Sequence, residues 1–185
     1  MSTWVWVAIV VIAAIILLAV ITAGFRTKRS RSLKERFGPE YDRVAADAPT
    51  KREAEAELKE RERRRDELDI RELDPRRRDR YRTRWQEVQA EFVDDPASAV
   101  QNADRLIQEV MRERGYPVDD FDRRSADLSV DHPQVVENYR AAHGIAVAHE
   151  RGKAGTEELR KAVQHYRALF DELTSTTSDR QEVRR

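Results

Sequence analysis

Four histidines, His132, His143, His149 and His165, are the first place to look for chemistry in this 185-residue chain. Imidazole serves as a general base, a proton shuttle or a metal ligand, and each role needs a partner at a defined spacing. No HExxH or HxxxH pair is present, and no inward carboxylate completes the Glu-x-x-His pattern of a metal site inside a helical bundle. His143 falls on an apolar stripe and reads as a hydrogen-bonded core residue. Asp119, Asp120 and Asp122, like Asp94 and Asp95, lack the alternating oxygen ligands, central Gly and terminal Glu of a calcium loop, and read as caps and solvated carboxylates. With no cysteine there is no thiolate nucleophile, no disulfide and no cysteine-bound zinc. Neither a glycine-rich phosphate loop nor a nucleophile elbow occurs. The sequence therefore predicts no catalytic residue, no metal and no cofactor, and a protein that is not an enzyme.

Two stretches keep a capacity to bind. The connection from Gly115 to Pro133 gathers Tyr116, Asp119, Asp120, Phe121, Asp131 and His132, a set with which a loop on a rigid scaffold could grip a partner. The plainer reading is that caps and an aromatic plug close the end of a bundle. The run Arg76 to Arg84, followed by Trp85, could neutralise phosphates and stack bases. Tyr81 and Trp85, however, share a helical face with Val88 and Phe92, so they read as core with the arginines outside, and a nucleic-acid partner is not favoured. The net charge of +0 gives no bulk field in favour of a polyanion either.

The elements that must position these groups read as helices throughout. Gly38-Pro39 breaks the chain and opens a short helix from Pro39 to about Ala46. Thr50 and Glu53 form a capping box that starts a helix from Lys51 to about Leu73. That helix has almost no apolar stripe, with Arg61 and Arg65 standing where a buried seam would want leucine, and it reads as a solvated rod or weak coiled coil, a route to weak homo-oligomers. From Asp74-Pro75 the pattern changes: Tyr81, Trp85, Val88 and Phe92 lie on one face. Asp94-Asp95-Pro96 starts a helix with Ala99, Val100, Ala103, Leu106, Ile107, Val110 and Met111 inward, closed by Gly115 as a left-handed cap. Residues 119–128 are the least regular part, at best a short helix around Phe121. Asp131-His132-Pro133 opens a helix bearing Val135, Val136, Tyr139, His143, Ala146 and Val147. Thr156 caps a last one with Leu159, Ala162, Val163, Tyr166, Leu169, Phe170 and Leu173 inward. No strand pattern appears. The fold class is all-α: an N-terminal transmembrane helix, a charged helical stalk and a C-terminal antiparallel helical bundle.

The transmembrane expectation rests on Trp4 to Gly24, whose only hydrogen-bonding side chains are two indoles and Thr22. Such a run is long enough, at about 1.5 Å per residue, to cross a hydrocarbon core of ~30 Å. A cleavable signal would show a basic start, a shorter apolar core and small residues before the cut, and none of these is in good form. The cations after the run, Arg26, Lys28 and Arg29 among them, hold that side in the cytoplasm. Trp4, Trp6 and Phe25 then mark the two interfaces. The expected organisation is a membrane anchor at 1–25, a basic juxtamembrane segment with a short helix at 26–49, a stalk at 50–73, the bundle at 74–173 and a disordered tail at 174–185. The expected location is a bacterial cell membrane, single-pass, with the N-terminus outside and the body in the cytoplasm, the lipid bilayer being one partner and a protein of unidentified kind the other.

Of the 35 basic residues 29 are Arg, a bias that fits a high-GC bacterial genome. The strings FVDDPASAV, ADRLIQEVMRERGYPVDDFDRRSADLSVDHP and VENYR resemble an uncharacterised, actinobacterial family of membrane-anchored or secreted helical proteins, over roughly Phe37 to Leu173. The resemblance implies no reaction, cofactor or catalytic residue. The function expected from all of this is a protein-binding or scaffolding module at the cytoplasmic face of a membrane. The alternatives are an extracytoplasmic or secreted helical domain, an enzyme using the 115–133 connection, or a nucleic-acid binder through Arg76 to Arg84.

Overall fold

The computed structural model of the protein describes Trp4, Lys28 and residues 30–176, and every element in it is a helix. The chain divides into two compact units, Met1–Lys59 and Glu60–Arg185.

In the first unit residues 30–37 are helical and stop at Gly38, whose φ of 50° takes the left-handed turn that an L side chain resists. Pro39 then opens α1, Pro39–Asp47. Ala48 is extended, as the residue before Pro49 must be, and α2, Lys51–Asp66, follows. The Glu53 amide donates to Thr50 Oγ1 at 3.2 Å, so the expected cap forms. Leu33 and Phe37, Tyr41 and Val44, and Ala54 and Leu58 are all buried, each pair one helical turn apart. Tyr41 Oη donates to Glu55 Oε1 at 3.1 Å. Residues 30–49 are therefore part of a folded unit with its own buried residues, where the sequence suggested a basic juxtamembrane segment with one short helix.

α2 ends at Asp66, earlier than its charge pattern suggests. Its last turn tightens as the amides of Glu67 and Leu68 bond the carbonyls of Arg64 and Arg65, and the Arg71 amide then donates to Arg114 O at 2.9 Å. Residues 67–74 thus run as a strap that swaps helical bonding for the end of another helix. The two units meet at Lys59 and Glu60, so the last turns of α2 group with the bundle. The solvated rod is corrected on this point: Arg61 is 5% exposed.

In the second unit, α3, Pro75–Asp94, and α4, Pro96–Arg114, are joined by Asp95 alone, which ends one helix and caps the next by accepting from Ser98 N at 3.0 Å. α5 is Phe121–Asp131, capped by Asp120; α6 is Val136–Glu150; α7 is Thr156–Thr174. α3 packs on α4, α4 on α7, and α6 on α7, a helical bundle. Its core takes Trp85 and Val88 from α3, all seven apolar residues expected of α4, Tyr139 from α6 and Leu159, Tyr166 and Phe170 from α7. Trp85 stacks on Phe170 with ring centroids 4.8 Å apart. Two sequence readings change here. The least regular stretch is a full helix, α5, and the helix expected to start at Asp131 starts at Val136, because His132 closes α5 by donating its amide to Leu128 O at 2.9 Å.

The membrane placement is also corrected. Among the described residues no helix is long and apolar enough to cross a membrane. Charged side chains recur at every turn of α2 and α3, and hydrocarbon does not accept them. Of the anchor residues, Trp4 and Lys28 are exposed, while Trp6, Phe25, Arg26, Arg29 and the rest of the stretch to Gly24 lie outside the described residues, as does the tail beyond Thr176. Single-pass anchoring with a cytoplasmic body is withdrawn.

Candidate functional site

Gly115 creates the corner on which the site is built. Its φ of 98° turns the chain off α4, and a Cβ there would lie 2.2 Å from Asp69 O, so the strap passes against a residue that can only be glycine. The Tyr116 amide bonds Met111 O at 2.9 Å, which aims the ring inward, 2% exposed. Its hydroxyl donates to Asp131 Oδ2 at 2.7 Å, at the end of α5. Arg65 of α2 donates Nε to both oxygens of the same carboxylate, at 2.7 and 2.9 Å. Arg114 lies over the Tyr116 ring at 5.9 Å and donates to Leu173 O at 3.0 Å and to Arg71 O at 3.3 Å. His132 is 3% exposed, with Nδ1 2.8 Å from Glu172 Oε1 of α7. The corner therefore ties together the end of α2, the strap, the end of α4, α5 and α7.

A second row runs along α5. Arg61 donates to Ser129 Oγ at 3.1 Å, and Arg64 Nε stands 3.5 Å from Asp127 Oδ1. Burial pushes the Asp127 carboxyl above its ordinary range, against the pull of the Arg64 charge. Burial, with the Asp131 charge behind it, pushes the Tyr116 phenol far up as well. A phenol so held is a hydrogen-bond donor at neutral pH and not a nucleophile, and Asp131 already serves a guanidinium and that phenol. The arrangement joins helices.

The structure thus brings together Tyr116, Asp131 and His132 and separates the other three loop residues. Asp120 caps α5 by accepting from Arg123 N at 3.0 Å, Asp119 is exposed, and Phe121 stacks on His143 with centroids 3.7 Å apart and tilts against Tyr139. His149 and His165 face Ala154 O and Asn138 Oδ1, each at 2.8 Å. Among the described residues no group of His, Asp and Glu is placed to hold a metal ion. Sequence reasoning missed Arg61, Arg64, Arg65, Arg114 and Glu172 as members of the corner. The signal for two of them was present, since arginine at positions where a seam wants leucine marks a covered polar face.

The arginine run of α3 is divided in use. Arg77 Nη1 donates to Glu113 Oε1 and Tyr81 Oη to Glu113 Oε2, both at 2.6 Å, and Arg84 forks onto Glu109. Burial works to raise Glu113, but the bonds from Tyr81 and Arg77 and the charges of Arg77 and Arg80 leave it below the usual carboxylate range. Burial first, then the Glu113 bond, takes the Tyr81 phenol up to about 12. Between α3 and α4 lies a cleft of about 360 Å³ over Val88 and Leu106, with Arg84, Glu87, Arg105 and Glu109 on its walls.

Comparison with known proteins finds nothing alike: no family model, curated protein or solved structure matches the chain.

Proposed function

We propose that the chain is a helical protein-binding or scaffolding module. The observation that carries this reading is the condition of its best reacting groups: Tyr116 and His132 are buried, and the hydroxyl of one and Nδ1 of the other are bonded to carboxylates within the molecule. Groups used in this way stabilise a shape and leave the outer helix faces, rich in charge, as the part that meets other molecules. The helices of the bundle present arginines and carboxylates together, which favours selective docking over turnover. In-cell chemical crosslinking of a tagged full-length chain tests it. A reproducible partner in stoichiometric amount is the expected result. A chain that stays monomeric and uncrosslinked at native abundance would remove the proposal.

A further inference from the structure

Six arginines fall between Arg76 and Arg84 of α3, and their surroundings differ. Arg77 and Arg84 are held by carboxylates of α4, Arg82 stands 4.0 Å from Asp79, and Arg78 is half-buried. Arg76 and Arg80 are exposed, one helical turn apart, with no carboxylate at ion-pair distance among the described residues. Both border an open recess of about 580 Å³ together with Arg77 and Asp74. An adjoining recess of about 270 Å³ continues it past Arg77 and Asp74 to Arg71 and Glu113. The Asp74 carboxylate is engaged in capping, accepting from Arg76 N at 2.9 Å.

The first turn of α3 holds arginines and no acid, whereas the first turns of α5 and α7 hold Asp122 and the pair Glu157 and Glu158. Cations there oppose the helix dipole; the Asp74 cap answers the Arg76 amide, but no carboxylate pairs with the Arg76 side chain among the described residues. A local rule broken in this way, beside a concave surface, points to use by another molecule. We propose that this recess docks a carboxylate-bearing segment of a partner protein, Arg76 and Arg80 taking two acidic side chains one helical turn apart. The inference rests on the protein-binding reading and names the chemistry of the partner. Glutamates of α4 already meet Arg77 and Arg84, so carboxylates are the acids this surface takes within the molecule. Trp85, 3% exposed, cannot stack a base, which disfavours a single-stranded nucleic acid.

The test titrates the full chain at low salt with a fluorescein-labelled Ala-Glu peptide whose glutamates lie one helical turn apart, and in parallel with a single-stranded oligonucleotide of equal charge. The peptide is expected to bind more tightly than the oligonucleotide. Arg76→Gln with Arg80→Gln is expected to weaken it about tenfold, and the paired lysine variant by less, with the circular dichroism unchanged. Equal peptide affinity for the glutamine variant, or preference for the oligonucleotide, would overturn the proposal. A photo-crosslinking amino acid in place of Asp79, and separately in place of Arg167 on α7, is then used in cells. Adducts through position 79 support the surface; adducts through 167 alone remove it and keep the binding module; adducts through neither remove both.

Discussion

Asp131 accepts from Arg65 and from Tyr116 at once, so one carboxylate fixes the ends of two helices and a corner. Asp131→Asn keeps the shape and removes the charge, leaving a half-buried guanidinium without its counter-ion. It is expected to cost about 2 kcal/mol in urea denaturation, more than Tyr116→Phe at about 1 kcal/mol, since the phenol deletion leaves the Arg65 pair intact. Acid weakens the pairs between α3 and α4. Glu109, by its Arg84 bond, and Glu113, as described above, lie below their unfolded value of 4.5. The sign follows: their contribution is complete above 4.5 and is lost as pH falls through the lower folded values. Both are partly exposed, so the effect is small, about 0.5 kcal/mol or less for each. Thermal melts between about pH 6 and pH 3 should show a shallower acid decline for Glu109→Gln than for the parent chain.

At the scale of elements, the joint between α4 and the strap is the most sharply constrained. Gly115→Ala places a methyl group against Asp69 O in a left-handed conformation, and both faults act together. A loss of about 2–3 kcal/mol is expected, with faster amide exchange confined at first to residues 67–74, readable by hydrogen exchange. Helix positions with apolar periodicity were legible in the sequence: the faces of α3, α4 and α7 all lie where the spacing puts them. α5 was not legible. Arg124, Ser125, Asp127 and Ser129 are buried on it, and a pattern rule reads such residues as surface. What covers them in part is a row of arginines from α2, sixty or more residues distant in sequence, as in the pairs Arg61–Ser129 and Arg65–Asp131. Pairing of that range leaves no periodic trace.

For the molecule, the bundle of the second unit stands on one apolar cluster, in which Trp85 and Phe170 stack. Phe170→Ala is expected to lower the stability of that unit by about 3–5 kcal/mol and to shift Trp85 emission to the red before unfolding. Unchanged emission and stability would show that the two rings do not share a core. The sequence alone determined the all-helical class, the breaks at Gly38, Asp95 and Gly115 and the apolar faces, because capping and periodicity are local properties of the chain. It also pointed to Tyr116, Asp131 and His132 as a group. Only the tertiary structure decided where that group sits: Tyr116 and His132 are buried, with Arg65 bonded to Asp131 and Glu172 to His132. It decided likewise that residues 60–66 lie against a polar helix, and that Arg76 and Arg80 have no carboxylate at ion-pair distance among the described residues while Arg77 and Arg84 are paired. Each of these depends on which side chains meet across long separations, a matter of packing that no run of residues contains.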